Sequence, residues 1–321
     1  MFFSLCYSLG GFKIFCLFAM FALVNIKYKR KPAKNEINVY SACLWFITLF
    51  HCVWVWMVFI IRNGARCWSA VLDRAMEFKR YGHSGVPVLA LPARGGRFYD
   101  WENNGMPEAV ASLLHAGKVQ LFCADSIDGE SLLAGNSVPR RRAEMQEKYF
   151  LYLTTELAPR VLALTADEPK AEADEKAAKA ASTPVLWCAG VDTGAYQAVN
   201  CRLRRPELFA GAIGLSGLYD MSRFMGSEAD DLILRNSPLN ALAEKGIYNT
   251  AALAKAGENS LLLCAGQGAY EDDACADTKA LQAALEAAAL PCHVELWGND
   301  VSHDWYWWGK ELGMFAQRIF G

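Results

Sequence analysis

Apolar and polar positions follow a regular pattern from Met76 to the C-terminus. Short, nearly continuous apolar runs alternate there with longer stretches of helical periodicity. Such runs are typical of strands that are buried on both faces of a parallel sheet. The pattern predicts an α/β fold, a three-layer sandwich with a mostly parallel sheet. The predicted strands are residues 86–91, 119–124, 185–189, 212–215, 261–265 and 293–297, and the predicted helices are residues 107–116, 140–164, 195–204, 275–289 and 304–319.

The first 75 residues have a different pattern. Residues 40–61 carry no formal charge over a length that suffices for a transmembrane helix. Residues 2–26 form a second apolar stretch, interrupted by Gly10, Gly11 and Lys13. An N-terminal helical hairpin is therefore predicted to anchor the chain in a membrane through residues 1–61, with the basic loop 27–34 on the cytoplasmic side. The alternative is a cytoplasmic protein whose translation starts at Met76.

One segment interrupts the alternation of strands and helices. Residues 166–182 consist almost wholly of Ala, Glu, Asp and Lys, without a large apolar side chain. A segment of this composition cannot bury enough apolar surface to pack against a core. We predict a solvated helix or a disordered loop within a hydrolase-like domain that spans residues 76–321.

Charge and cysteine usage exclude two classes of function. The chain has 32 Lys and Arg against 34 Asp and Glu, so it lacks the basic footprint that nucleic-acid binding needs. Its eleven cysteines are scattered, with no spacing that would build a zinc site. We expect no nucleic-acid partner, no metal and no cofactor.

The segment with the clearest chemistry is a predicted strand that ends in Gly190-Val191-Asp192-Thr193-Gly194 and opens directly into a helix. This is the layout of a nucleophile elbow, a turn so tight that its flanking positions must be nearly free of side chains. The central residue is held above the sheet beside a helix N-terminus, whose amides favour negative charge. Asp192 occupies that position. The alternative is that an aspartate stands there because it tolerates unusual backbone angles and caps the helix.

Several sequence blocks in a fixed order resemble the esterase D-like family of α/β-hydrolases, which also includes mycolyl-transferase antigens. The resemblance covers nearly all of residues 76–321. The blocks are RYGHSG at 80–85, GGRFY at 95–99, DSIDGES at 125–131, GAY at 194–196, LSG at 215–217, NSP at 236–238, GQGA at 266–269 and HDW at 303–305.

The resemblance implies a hydrolase site in which Asp192 takes the place of the nucleophilic serine. The backbone N–H of Thr193 would then be one donor of the oxyanion hole. The second donor would come from the loop after the second strand, at Gly96 or Arg97. A small-molecule ester or acyl compound is the implied substrate.

The resemblance also implies a general base and an acid that orients it. His303, between the last strand and the last helix, takes the position of the base. The acid is expected in the cluster after residues 261–265, where Asp272 is preferred and Glu271 is the second choice. Without the resemblance, His303 would be read as a helix cap and the acidic cluster as a solvated loop. Two other candidates, His83 and Ser216, are predicted to be structural.

Three functions stay open at this point. An aspartate at an elbow serves as the nucleophile in haloalkane dehalogenases and epoxide hydrolases, so Asp192 could support weak or changed hydrolysis. The chain could instead be a catalytically inactive member that acts as a binding or scaffold module. A copy without any selected function is the third possibility.

Overall fold

A single mixed sheet organises the computed structural model, which describes residues 61–166, 186–226, 230–244, 247–255 and 257–321. The strands are β1 (Ile61–Ser69), β2 (Arg74–Tyr81), β3 (Val86–Leu91), β4 (Val119–Ala124), β5 (Leu186–Val191), β6 (Phe209–Leu215), β7 (Leu261–Ala265) and β8 (His293–Leu296). Their order across the sheet is β1-β2-β4-β3-β5-β6-β7-β8. The pairs β1–β2 and β2–β4 are antiparallel, and all other pairs are parallel.

Helices cover both faces of the sheet. They are α1 (Asp100–Asn103), α2 (Met106–Ala109), α3 (Ala111–His115), α4 (Pro139–Leu151), a π-helix (Tyr152–Leu157), α5 (Ala158–Ala166), α6 (Thr193–Arg204), α7 (Ser222–Met225), α8 (Asp231–Arg235), α9 (Pro238–Ala243), α10 (Thr250–Ala254), a 3-10 turn (Glu258–Ser260), α11 (Asp272–Ala287) and α12 (Trp305–Phe320).

Side-chain alternation along the strands creates two separate cores. Leu89 and Leu91 of β3 point into a core that contains side chains of α4, the π-helix, α6 and α11. Val88 and Ala90 point into the opposite core, which contains side chains of α2, α3 and α12. Because successive residues of a strand face opposite sides of the sheet, continuous apolar runs are required here. The predicted three-layer α/β architecture is confirmed.

The boundary predicted at Met76 differs from the structure. Strand β1 pairs with β2 from Ile61–Tyr81 to Ser69–Arg74, so the described part of the sheet includes residues before Met76, and residue 76 lies inside β2. Cys67 and Leu72 pack against the core on the side of α4. The strand was missed because residues 61–69 contain Arg62, Gly64 and Arg66 and lack a continuous apolar run.

Two predicted helices have different internal structure. The helix predicted at residues 107–116 is divided into α2 and α3 at Val110, which has φ −117° and ψ 17°. The helix predicted at residues 140–164 runs from Pro139 to Ala166 with a π-helix at Tyr152–Leu157. The hydroxyl of Thr154 donates to the carbonyl of Phe150 at 2.8 Å within this stretch.

Some sequence predictions fall outside the described residues. These are the apolar stretches at residues 2–26 and 40–60 and all but the first residue of the Ala-rich segment at 166–182. Membrane attachment through residues 1–61 therefore stays a prediction. In the part of the chain that the structure describes, no helix is both long enough and apolar enough to span a bilayer.

Candidate active site

The turn between β5 and α6 places Asp192 above the carboxyl edge of the sheet. Asp192 has φ 53° and ψ −120°, a backbone conformation that costs energy for a residue with a side chain. A Cβ atom on Gly190 would overlap the carbonyl of Gly194, and one on Gly194 would overlap the carbonyl of Pro92. Only glycine therefore fits two residues before and two residues after Asp192, as the elbow pattern predicts.

The carboxylate of Asp192 is held by one residue of the loop after β3. Its Oδ2 atom accepts a hydrogen bond from the backbone N–H of Arg94 at 3.1 Å. Its Oδ1 atom accepts from Nη2 of Arg94 at 3.2 Å. The Arg94 guanidinium lies 5.6 Å from the centre of the Phe224 ring. Since the Asp192 side chain is only 6% exposed, these contacts replace most of the hydrogen bonds that water would donate to an exposed carboxylate.

His303 lies between two carboxylates. Its Nε2 atom is 3.8 Å from Oδ1 of Asp192, an ion-pair distance that is too long for a direct hydrogen bond. Its Nδ1 atom is 3.1 Å from Oε1 of Glu271. The backbone N–H of His303 donates to the carbonyl of Ala269 at 2.9 Å, which fixes the loop that presents the ring.

Glu271, rather than the preferred Asp272, is the carboxylate that contacts His303. Glu271 is fully buried, whereas Asp272 is exposed at the first turn of α11. The neighbouring Asp273 forms an ion pair with Arg223 at 3.1 Å. The acidic cluster after β7 is therefore divided by the start of α11, which turns Asp272 and Asp273 away from the site.

A buried network behind the ring holds Glu271 in place. The hydroxyl of Ser216 donates to Oε1 of Glu271 at 2.6 Å, and the indole N–H of Trp308 donates to the same hydroxyl at 3.0 Å. The Trp308 ring meets His303 edge-on, with ring centres 4.9 Å apart. Sequence reasoning gave Ser216 a structural role but no contact with the site. No signal along the chain links it to residues 271 and 308, because the three come from different loops and helices.

The loop expected to form the oxyanion hole contributes a different amide. The N–H of Gly96 donates to the carbonyl of Ala93 at 2.8 Å, and the N–H of Arg97 donates to Asp100 at 3.0 Å. Neither is available to a ligand, because both close turns within the loop. The amide directed at the elbow is that of Arg94, two residues before Gly96 and three before Arg97.

Asp128 supports the elbow and this loop together. Its Oδ2 atom accepts from the N–H of Gly95 and from the hydroxyl of Thr193, each at 3.0 Å. Burial raises the pKa of Asp128 above its usual value despite these two donors. Thr193 begins α6, where backbone N–H groups lack partners within the helix. Its role as the other oxyanion-hole donor stays a prediction.

The charges at the site stabilise one another. Burial alone would raise the pKa of Asp192, but His303 and Arg94 outweigh burial and lower it. Burial likewise opposes the charge on His303, but Asp192 and Glu271 outweigh it and raise the pKa of His303 to about 9. At neutral pH the centre of the site is therefore an imidazolium between two carboxylates.

His83 does not belong to this site. Its Nδ1 atom is 3.0 Å from the hydroxyl of Ser84, and its Nε2 atom is 3.3 Å from the carbonyl of His115. These contacts tie the turn before β3 to the end of α3. The structural role predicted for His83 matches this position.

Comparisons with known proteins agree on the fold. No protein-family model matches the sequence, and no curated protein matches it significantly. Among solved structures, a ferulic acid esterase is similar over 80% of this chain and 98% of its own, with a TM-score of 0.57 and 15% identity. An S-formylglutathione hydrolase from Agrobacterium tumefaciens is similar over 80% of this chain and 95% of its own, with a TM-score of 0.54 and 14% identity.

A third similar structure is a ferulic acid esterase from Anaeromyces mucronatus. It matches 81% of this chain and 90% of its own, with a TM-score of 0.53 and 11% identity. At such identities the likeness concerns the fold and not the activity. With the strand order and the turn at Asp192, it shows that the described part of the chain has the α/β-hydrolase fold.

Proposed function

We propose that this α/β-hydrolase domain is esterase-like with an altered nucleophile, in which Asp192 replaces the serine of the esterases it resembles and leaves weak or changed hydrolytic activity. The observation that carries the proposal is the position of the Asp192 carboxylate. It lies at the elbow, within reach of the Arg94 amide and beside a histidine that is itself paired with Glu271. The elbow turn, the histidine and its buried acid partner support the proposal, because an acyl-transfer site needs these parts beside its nucleophile.

Three features weaken ordinary ester hydrolysis. A carboxylate that attacks an ester carbonyl gives a mixed anhydride, which readily reverts. The Arg94 amide, which would stabilise an oxyanion, already donates to Oδ2 of Asp192. His303 is protonated at neutral pH because its pKa is raised to about 9, so it cannot accept a proton as a general base.

Attack on a saturated carbon is a second candidate activity, and the two oxygens of Asp192 favour it. One oxygen would form a bond to carbon while the leaving group departs with its electron pair, giving an alkyl ester. Water would then hydrolyse that ester and pass a proton to neutral His303, with the carbonyl oxygen near the Arg94 amide. Esterification would remove the charge of Asp192, one of the two carboxylates that raise the pKa of His303, so His303 would lose its proton at a lower pH in the alkyl-enzyme than in the resting site.

The first test replaces the nucleophile. We expect Asp192→Ser to hydrolyse p-nitrophenyl acetate roughly two to four orders of magnitude faster than the native protein, because general-base catalysis contributes about that much. The serine hydroxyl also leaves the Arg94 amide free. The double variant Asp192→Ser/His303→Ala is the matched control, and it should lose this gain while keeping the new hydroxyl.

Several outcomes separate the possibilities. Efficient ester hydrolysis by the native protein, abolished in Asp192→Ala, would contradict the proposal. A folded Asp192→Ser variant at the background rate would show that the surrounding site is not competent, and would favour an inactive binding or scaffold module. A covalent mass increase on Asp192 after incubation with an alkyl halide, followed by its slow loss in water, would support the second candidate.

A further inference from the structure

A buried arginine lies on the same helix as the elbow, but far from it. Arg202 is 2% exposed. Within the described residues, its Nε and Nη1 atoms have no hydrogen-bond partner. Two residues later, Arg204 shows how this chain compensates another buried arginine, since its Nη1 and Nη2 atoms donate to Glu147 at 2.8 Å and 2.7 Å. Among the described residues, no carboxylate plays this part for Arg202.

This arrangement is unfavourable unless something else compensates the charge. A guanidinium does not lose its proton in proteins, and an unpaired buried charge is strongly destabilising. Burial lowers the pKa of Arg202, and the nearby Cys188 opposes that effect only in its thiolate form. Burial also raises the pKa of the Cys188 thiol well above its usual value, so Cys188 stays neutral and cannot serve as the counter-ion.

Arg202 borders a small cavity at the amino edge of the sheet. The cavity has a volume of about 10 Å³ and is lined mainly by leucines, including Leu203, Leu253 and Leu285. Ser260 also lines it, but its hydroxyl donates to the carbonyl of Gly257 at 2.8 Å. Ser260 directly precedes β7, whereas the catalytic acid candidate follows that strand. The cavity and the elbow therefore lie at opposite edges of the sheet.

We propose that Arg202 binds a single monovalent anion of chloride size in this cavity. The guanidinium supplies the charge, and two of its nitrogen atoms have no hydrogen-bond partner among the described residues. The cavity walls are mainly apolar. The cavity volume suffices for one ligand of about the size of a water molecule. It is too small for a phosphate or a carboxylate. The site is independent of the hydrolase chemistry proposed for Asp192.

The test compares the thermal stability of the full-length protein in sodium chloride and in sodium gluconate at equal ionic strength. Gluconate is too large for the cavity. A ligand that binds only the folded state raises the melting temperature, and for a dissociation constant of roughly 10 mM the rise between roughly 1 mM and 100 mM chloride is about 3 °C. Arg202→Met should lose this response. Arg235→Met, which removes an exposed positive charge, should keep it.

Equal melting temperatures of the native protein in the two salts would overturn the proposal, because water alone would then fill the cavity. An undiminished chloride response in Arg202→Met would also overturn it, because the ion would then bind elsewhere. A measurement on the native protein covers the case in which Arg202→Met does not fold. Crystals soaked in bromide should show an anomalous peak beside the Arg202 guanidinium, and the absence of such a peak would contradict the site.

Discussion

His303 owes its charge to the two carboxylates on either side of it, and the stability of the protein should depend on pH accordingly. The pKa of His303 is raised from 6.5 to about 9 in the folded state. Its contribution to the free energy of unfolding is therefore fully present below pH 6.5 and is lost as the pH rises through about 9. Asp192, whose pKa is lowered, loses its contribution at the opposite end, as the pH falls through its folded value.

We expect the free energy of unfolding of the native protein to fall by about 3 kcal/mol between roughly pH 6.5 and pH 9.5 through His303. Urea titrations at a series of pH values measure it. Glu311, whose pKa is raised to about 8 by burial and by Glu271, adds a loss of its own as the pH rises. Asp192→Asn isolates His303, because it removes one of the two carboxylates and leaves Glu311 unchanged. A pH profile identical to that of the native protein would contradict the pairing.

The sequence predicts only part of the site at this scale. The elbow spacing locates Asp192, and the family resemblance locates His303, because both residues lie in local motifs. The choice between Glu271 and Asp272 depends on where α11 begins, which decides the side chain that is buried. Arg94 was missed for a related reason, since the turn geometry of its loop decides which amide faces the elbow.

At the scale of elements, the β1–β2 hairpin is part of the hydrolase fold. Glu156 of the π-helix stabilises its turn. The Oε1 atom of Glu156 accepts hydrogen bonds from the N–H groups of Ala70 and Val71 at 2.9 Å and 3.1 Å. A chain that starts at Met76 would lack β1 and these two hydrogen bonds. It would also expose the free edge of β2, and unpaired strand edges favour aggregation.

We expect a chain of residues 57–321 to fold, and a chain of residues 76–321 to melt at a clearly lower temperature or to aggregate. Circular dichroism during heating measures the difference. The substitution Glu156→Gln in the longer chain is a milder control that weakens the turn while keeping β1. Equal melting temperatures for the two chains would show that β1 is dispensable and would restore the boundary at Met76.

The predictability of the elements follows from their burial. The central strands β3 to β7 were predicted to within a few residues, because they are largely buried on both faces and have apolar runs. The edge strand β8 was also predicted, although its side chains are only partly buried. Strand β1 is at the edge of the sheet, where Arg62, Gly64 and Arg66 are tolerated and a register shift occurs between residues 62 and 64. The π-helix was not predicted, because its apolar spacing differs little from that of an α-helix over a single turn.

At the scale of the whole molecule, the parallel strands separate two kinds of chemistry. The loops that follow β3, β5, β7 and β8 meet at one edge of the sheet, and they carry Arg94, Asp192, Glu271 and His303 in that order. This meeting is a consequence of topology and could be predicted once the α/β pattern was recognised. Arg202, whose Nε and Nη1 atoms have no hydrogen-bond partner among the described residues, lies at the other edge. Its burial could not be predicted, because a lone arginine in a helical stretch gives no sign of it.

The contact between Trp308 and His303 should make the protonation state of His303 measurable by tryptophan fluorescence. The two rings meet at 87° with centres 4.9 Å apart, and a protonated imidazole quenches indole fluorescence more strongly than a neutral one. Emission should therefore rise with an apparent pKa of about 9, and Trp308→Phe should remove this transition. Asp192→Asn should move the midpoint to lower pH. An unchanged midpoint would mean that the indole senses a different group.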